Sequence, residues 1–176
     1  MPHPARPAGL LDGRADDEGW SSAAALVAPS AGTGEAFAAG PGAARGTTGA
    51  ATRFDLASVT KAFVAVTAAT LVDDGLLDPD APAREVLDVP ATSTGATARR
   101  AGAPWGQALG LRRGDPGFMV SGGQVGHAGF TGTSFVADLG TGATAVLLTN
   151  RVHGGRAASV EPRRRRLAAR AAEEGR

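Results

Sequence analysis

The chain has 176 residues, 43% of them hydrophobic, which is enough for one globular domain with a buried core and too little for two full domains. It contains no cysteine, which excludes disulfides, thiolate metal sites and a cysteine nucleophile. Because the formal net charge is only +1, no overall attraction to nucleic acid or to anionic lipid is expected.

The N-terminal segment, residues 1–20, is rich in Pro, Gly and Asp and lacks hydrophobic periodicity, which is typical of a flexible arm. It also lacks the apolar stretch of a secretory signal, and no apolar run of the chain reaches the length of a membrane span. We therefore expect a cytoplasmic protein. Two short apolar runs, residues 21–28 and 34–40, predict a hairpin of two strands.

The central segment, residues 58–74, runs without Gly or Pro and stops before Gly75, which predicts a helix with a glycine C-cap. Its side chains from residue 62 to 72 are almost all apolar, so we expect protein on every side of the helix. Residues 91–104 are rich in Ala, Thr, Gly and Arg, which indicates a linker.

The C-terminal part contains three strand-like stretches, residues 105–113, 126–140 and 144–152, the last two joined by a hairpin turn. Pro162 lies near the start of a terminal helix that would pack Leu167 on the sheet. The arginines at positions 163–166 would then point into solvent, so we expect no nucleic-acid partner. The order of elements predicts an α+β domain over residues 21–176, with an antiparallel sheet flanked by helices.

Lys61 is the only lysine of the chain, and it follows Ser58 by three residues on the predicted helix. At this spacing the two side chains lie on the same face, within reach of a hydrogen bond. A serine becomes a nucleophile when a base takes its proton, and a desolvated lysine, unlike an arginine, can be that base. Backbone N–H groups at the helix start would also stabilise an oxyanion beside Ser58. The alternative is an N-cap serine followed by a solvated lysine.

Two stretches resemble one known family. Residues 54–87, FDLASVTKAFVAVTAATLVDDGLLDPDAPAREVL, are similar to the segment around the active-site serine of the penicillin-recognising serine hydrolases, which include class C β-lactamases, D-Ala-D-Ala carboxypeptidases and related esterases. Residues 126–153, GHAGFTGTSFVADLGTGATAVLLTNRVH, look like the third motif of that family, K-T-G or H-x-G on an edge strand. The corresponding triplet here is His127-Ala128-Gly129. Two motifs in the expected order favour membership of this family.

The resemblance implies a role for each matched residue. Ser58 would be the nucleophile and Lys61 the general base. The backbone N–H of Phe130 would be the second oxyanion donor, opposite that of Ser58. His127 would line the site and bind a substrate carboxylate or help to move a proton, and Gly129 would let an extended substrate approach closely. The alternative for His127 is an exposed strand residue beside a glycine turn.

The implied activity is acyl-enzyme hydrolysis of ester, amide or β-lactam substrates, small acyl or peptide compounds, with no cofactor and no metal. Family members are about twice as long and carry a helical subdomain with a Y-x-N or S-x-N motif. This sequence has no tyrosine and no S-x-N, so the linker at 91–104 stands where the subdomain would be. Two further expectations follow: a catalytically inactive ligand- or protein-binding remnant as the alternative function, and self-association through the uncovered helix face.

Overall fold

The computed structural model describes residues 23–28, 35–39, 48, 51–81, 106–108, 110–154 and 159–174. The predicted arm at 1–20 and the predicted linker at 91–104 lie outside these residues. Within these ranges, two helices and seven strands follow one another: β1 Ala23–Ala28, β2 Glu35–Ala39, α1 Thr60–Asp73, β3 Gly106–Ala108, β4 Leu111–Arg113, β5 Gln124–Ala128, β6 Ser134–Asp138, β7 Thr144–Thr149 and α2 Glu161–Glu173. Short 3-10 turns cover Ala57–Val59 and Arg151–Gly154.

The seven strands form one sheet in the order β2-β1-β7-β6-β5-β4-β3, and every neighbouring pair is antiparallel. The predicted α+β class with an antiparallel sheet is therefore confirmed, as is the first hairpin, which pairs β1 with β2. Among the described residues, no helix combines the length and apolar character needed to cross a bilayer.

The number of strands after α1 was predicted wrongly, because two predicted strands each divide in two. The stretch 105–113 forms the hairpin β3–β4, whose turn contains Gly110 at φ +70°. The stretch 126–140 forms β5 and β6, which are joined by a turn at residues 129–133. A positive φ suits glycine and breaks the extended backbone of a strand, so the two glycine-containing segments turn instead of continuing.

The sheet packs α2 on one face and α1 on the other. Alternate residues of β7, Ala145 and Leu147, pack with Leu167 and Ala171 of α2 in a buried apolar cluster. The residues between them, Val146 among them, face α1 instead, since side chains alternate along a strand. The two helices are therefore on opposite sides of the sheet.

Helix α1 ends as predicted but is less covered than predicted. Gly75 has φ +70°, and its N–H donates a hydrogen bond to the Val72 carbonyl. The Leu76 N–H donates to the Leu71 carbonyl, and the two bonds together form a Schellman cap. The expectation of protein on every side is wrong, because Phe63, Val64 and Val66 are 61%, 61% and 68% exposed. Below α1, an open apolar cavity of about 630 Å³ separates it from the sheet.

Helix α2 packs Leu167 on the sheet as predicted, but its arginines do not all point outward. Arg163 and Arg164 are buried, whereas Arg165 and Arg166 are exposed. The prediction of an outward-directed run is therefore wrong for its first half. A run of four residues covers more than one turn of a helix, so some of its members must face the sheet.

Candidate active site

Ser58 lies in the 3-10 turn that leads into α1, and Lys61 lies in the first turn of α1. Lys61 Nζ donates a hydrogen bond to Ser58 Oγ over 2.9 Å. Ser58 is not an N-cap: the cap residues are Leu56 and Val59, and neither helix start has a side-chain cap bond. The structure therefore brings the predicted nucleophile and base into direct contact.

The backbone immediately before Ser58 is held in an uncommon conformation. Ala57 has φ +47°, and it is the non-glycine residue with positive φ among the described residues. Its N–H bonds Asp55 Oδ1 at 2.8 Å. A non-glycine residue in this region costs on the order of 1–3 kcal/mol, so the surrounding contacts must maintain it. Such strain is frequent beside nucleophiles.

The turn between β5 and β6 supplies those contacts. Thr131 Oγ1 donates to the Asp55 carbonyl at 2.6 Å, and Thr133 Oγ1 donates to the Leu56 carbonyl at 3.0 Å. The two hydroxyl oxygens are themselves 3.3 Å apart. The segment that presents Ser58 is thereby tied to the segment that follows the predicted third motif.

Gly129 lies where these two segments meet. A Cβ atom at Gly129 would lie 2.2 Å from Thr133 Oγ1, 2.6 Å from the Leu56 carbonyl oxygen and 3.3 Å from Ala57 Cβ. No larger residue fits there without moving backbone, so glycine is needed for the approach of the turn to the segment before Ser58. Phe130 follows directly; its side chain is 52% exposed, and its carbonyl accepts a bond from Arg151 Nη2 at 2.9 Å.

The strand β5, which carries His127 and Ala128 of the triplet, is not an edge strand, which corrects the sequence-based expectation. The β3–β4 hairpin adds to the same side of the sheet, and β4 pairs with β5 at Val125 and Gly126. The pairing stops there, so His127 and Ala128 have no described strand beside them on that side. The end of β5 nearest Ser58 therefore keeps the open backbone that an edge would provide.

His127 is buried, with 3% exposure, and lies opposite Phe135 of β6. Directly opposed residues point to the same face, and Phe135 lines the cavity under α1, so His127 faces the α1 side. Its Nδ1 is 3.0 Å from the Ala128 carbonyl. Burial lowers the pKa of His127, and the positive charges of Arg112 and Lys61 lower it further. The hydrogen bond to the Ala128 carbonyl acts in the opposite direction but does not outweigh them. Ala128 itself points to the other face, against the cluster that contains Phe118 and Ala168.

A surface cleft of about 630 Å³ opens at the dyad. Its lining includes Ser58 and Lys61, the next turn of α1 at Val64, and Gly110. The side chain of Lys61 is exposed there, so it lacks the desolvation that the sequence-based argument assumed. The described residues contain no group of three or more His, Asp or Glu side chains placed to hold a metal ion.

Four residues of this site were not predicted from the sequence to belong to it, and one of them, Arg164, was expected to face solvent. Gly110 brings the β3–β4 turn against α1, since its Cβ would lie 2.5 Å from the Lys61 carbonyl oxygen. Thr131 and Thr133 anchor the segment before Ser58, and Arg164 of α2 bonds the Gly129 carbonyl at 2.8 Å. The Gly-Phe-Thr-Gly-Thr sequence at 129–133 signals a turn with two hydroxyls, but nothing local in it indicates their acceptors, which lie more than 70 positions earlier.

The comparisons with known proteins give one family. A sequence model described as "Beta-lactamase" matches residues 11–100, just over half of the chain, including Ser58 and Lys61 but not the triplet at His127. Neither the curated proteins nor the solved structures include a significant match to the chain. Together with the antiparallel α+β architecture, this match shows that the chain belongs to the β-lactamase-related family of serine hydrolases.

Proposed function

We propose that this chain forms an acyl-enzyme on ester, amide or β-lactam substrates, with Ser58 as nucleophile and Lys61 as general base. The observation that carries the proposal is the 2.9 Å contact between Ser58 Oγ and Lys61 Nζ. A deprotonated amine at this distance can take the hydroxyl proton as Oγ attacks the carbonyl carbon of the substrate.

For the remaining steps we propose the roles that the resemblance to the family implies. The N–H groups of Ser58 and Phe130 hold the oxyanion, and its collapse breaks the bond from the carbonyl carbon to the leaving oxygen or nitrogen. The leaving group takes the proton from Lys61. Water then attacks the acyl carbon while Lys61 accepts its proton, and Lys61 returns that proton to Ser58 Oγ as the bond from the acyl carbon to Oγ breaks and the acid leaves. The backbone of Ala128 and Gly129 lies beside an extended substrate.

The resemblance implies two roles for His127, binding a substrate carboxylate or moving a proton, and the protonation state of the imidazole favours the second. Its lowered pKa leaves the imidazole neutral at neutral pH. A neutral ring offers hydrogen bonding and proton transfer, but no charge to pair with a carboxylate. We therefore assign His127 to hydrogen bonding or proton movement at the site.

Esters of small acids are the substrates we favour. An amide leaving group must be protonated as it departs, and because this chain has no tyrosine to relay that proton, the step depends on Lys61 without the help that the Y-x-N motif gives in the family. An ester with an acidic alcohol or phenol departs without that help, so its cleavage depends least on the missing residue.

The second candidate function is a catalytically inactive module that binds an acyl or peptide ligand, or a protein, in the same cleft. The exposure of Lys61 favours this candidate, because an amine in open water lacks the desolvation that makes a lysine a base. The two candidates differ in whether Ser58 is nucleophilic.

A fluorophosphonate probe separates them, because it reacts covalently with an activated serine. We expect the wild type to be labelled, Ser58→Ala not to be labelled, and Lys61→Met to be labelled roughly a hundredfold more slowly, the usual contribution of a general base. Ser121→Ala is the matched control, since Ser121 is an exposed serine away from the dyad, and it should label like the wild type. A folded wild type that is not labelled would reject the hydrolase and leave the binding module.

A further inference from the structure

The side chain of Arg164 on α2 contacts the β5–β6 turn that carries Gly129. It is 7% exposed, and its Nη2 donates to the Gly129 carbonyl at 2.8 Å and to the Thr133 carbonyl at 3.1 Å. These two carbonyls are the first and last of the β5–β6 turn. The Gly129 carbonyl also accepts from the Gly132 N–H at 3.1 Å, and the Thr133 carbonyl from the Gly129 N–H at 2.7 Å, so the guanidinium reinforces both ends of a turn that backbone bonds already close.

Burying the guanidinium of Arg164 between the helix and the sheet carries a desolvation penalty. The carboxylate of Glu161 is 3.6 Å from Arg164 Nη1 but about half exposed. Arg164 Nε is buried and has no hydrogen-bond partner among the described residues. Burial lowers the pKa of Arg164 to about 10. Since an apolar side chain would pack here without this desolvation cost, the two carbonyl bonds are the feature that requires an arginine.

The Gly129 carbonyl belongs to the same peptide unit as the Phe130 N–H. In a planar trans peptide the C=O and the N–H point in opposite directions. Arg164 binds the carbonyl from the α2 side, so the N–H of Phe130 is directed away from α2. Ser58 and α1 lie on that other side, and Gly129 contacts the Ser58 segment through Leu56 and Ala57.

We propose that Arg164 is a positioning residue of the oxyanion hole, which aims the Phe130 N–H at the substrate carbonyl by holding the Gly129 carbonyl on the opposite side. The inference rests on the proposed hydrolase function, and Arg164 itself does not touch substrate. It gives Arg164, one of the two buried arginines of the run, a part in catalysis through the turn.

The test is steady-state hydrolysis of p-nitrophenyl acetate by Arg164→Met, which keeps a long side chain and loses both carbonyl bonds. We expect kcat to fall roughly tenfold to a hundredfold with KM little changed, because an oxyanion donor acts in the transition state. Arg164→Lys keeps one donor at the end of a long stem and should recover part of the lost kcat.

Arg165→Met is the matched control. Arg165 is the next residue of α2, and its Nη1 donates to the carbonyls of Pro116 and Met119, not to the turn. It removes the same charge and the same side-chain length, so its kcat should stay near that of the wild type. A wild-type kcat in folded Arg164→Met, or an equal fall in Arg165→Met, would overturn the positioning role.

A second measurement tests the inference if Arg164→Met does not fold. In Arg164→Lys, we expect the ¹⁵N–¹H resonance of Phe130 to move further than in Arg165→Lys, since only the former changes the peptide that contains it. An unmoved Phe130 resonance rejects the inference. If the wild type neither turns over ester nor reacts with fluorophosphonate, the proposed function fails, and the Phe130 resonance alone then decides whether Arg164 orients this peptide.

Discussion

His127 is the titratable side chain of the site whose burial has a direct consequence for stability. Burial lowers the pKa of His127 in the folded chain, and the nearby charges of Arg112 and Lys61 act in the same direction. In the unfolded chain the imidazole returns to its ordinary pKa of about 6.5. Below that value the unfolded state binds a proton that the folded state resists, so folding becomes less favourable as the pH falls.

The prediction is that His127→Gln flattens this dependence. Wild-type stability from urea unfolding should be constant above about pH 7 and should decline from there to pH 5, whereas the variant should decline less over the same range. Asp138 and Glu161 also have lowered pKa values, but their carboxylates titrate below this window. Equal slopes for the two proteins would mean that His127 titrates in the folded state as it does in the unfolded one.

At the scale of elements, the contact between the β3–β4 turn and α1 supports the backbone of Lys61. Gly110 has φ +70°, and a Cβ there would lie 2.5 Å from the Lys61 carbonyl oxygen and 2.7 Å from its carbonyl carbon. Both atoms are backbone, so neither can rotate away. A side chain at Gly110 must therefore separate the turn from the start of α1.

Gly110→Ala should consequently both destabilise the fold and slow fluorophosphonate labelling of Ser58. Gly75→Ala is the control, because Gly75 has the same φ of +70° but no atom within 4 Å of its Cβ position. The control should lose about 1–2 kcal/mol, the cost of a left-handed L-residue, and should keep the labelling rate. Both variants place an alanine at a positive φ, but only Gly110→Ala also puts a Cβ against the backbone of Lys61. A difference in melting temperature and labelling rate between them therefore measures the contact, and identical results would show that the contact does not matter.

The elements that the sequence predicted well depend on local signals. The Ser58–Lys61 contact follows from a spacing of three residues, and the end of α1 follows from Gly75. The errors arise where a distant part of the chain decides the structure. The β3–β4 turn at Gly110 is shaped by its contact with α1, and Arg164 is buried because a turn more than 30 positions earlier offers it two carbonyls. Composition alone assigns an arginine to the surface.

For the molecule as a whole, the uncovered side of α1 is the feature that bears on its behaviour in solution. We call the side chains of Phe63 and Val66 the apolar α1 face; each is more than half exposed, and both line the open cavity between α1 and the sheet. Residues 62–72 contain no charged side chain. A second copy of the chain can therefore cover this face without burying an unpaired charge, and contiguous apolar patches on monomers rarely exceed a few hundred Å².

We accordingly expect the wild type to self-associate through the apolar α1 face, and Val66→Lys to weaken the association. Val66 is 68% exposed, so a lysine there should cost the fold little while placing a charge in the interface. Leu139→Lys is the control, because Leu139 is 60% exposed in the turn between β6 and β7, on a different element. Sedimentation velocity over a wide range of concentrations should show dimers or larger species for the wild type and Leu139→Lys, and a shift to monomer for Val66→Lys. A wild type that stays monomeric at every concentration, or an equal response of the two variants, would show that α1 is not the contact between copies.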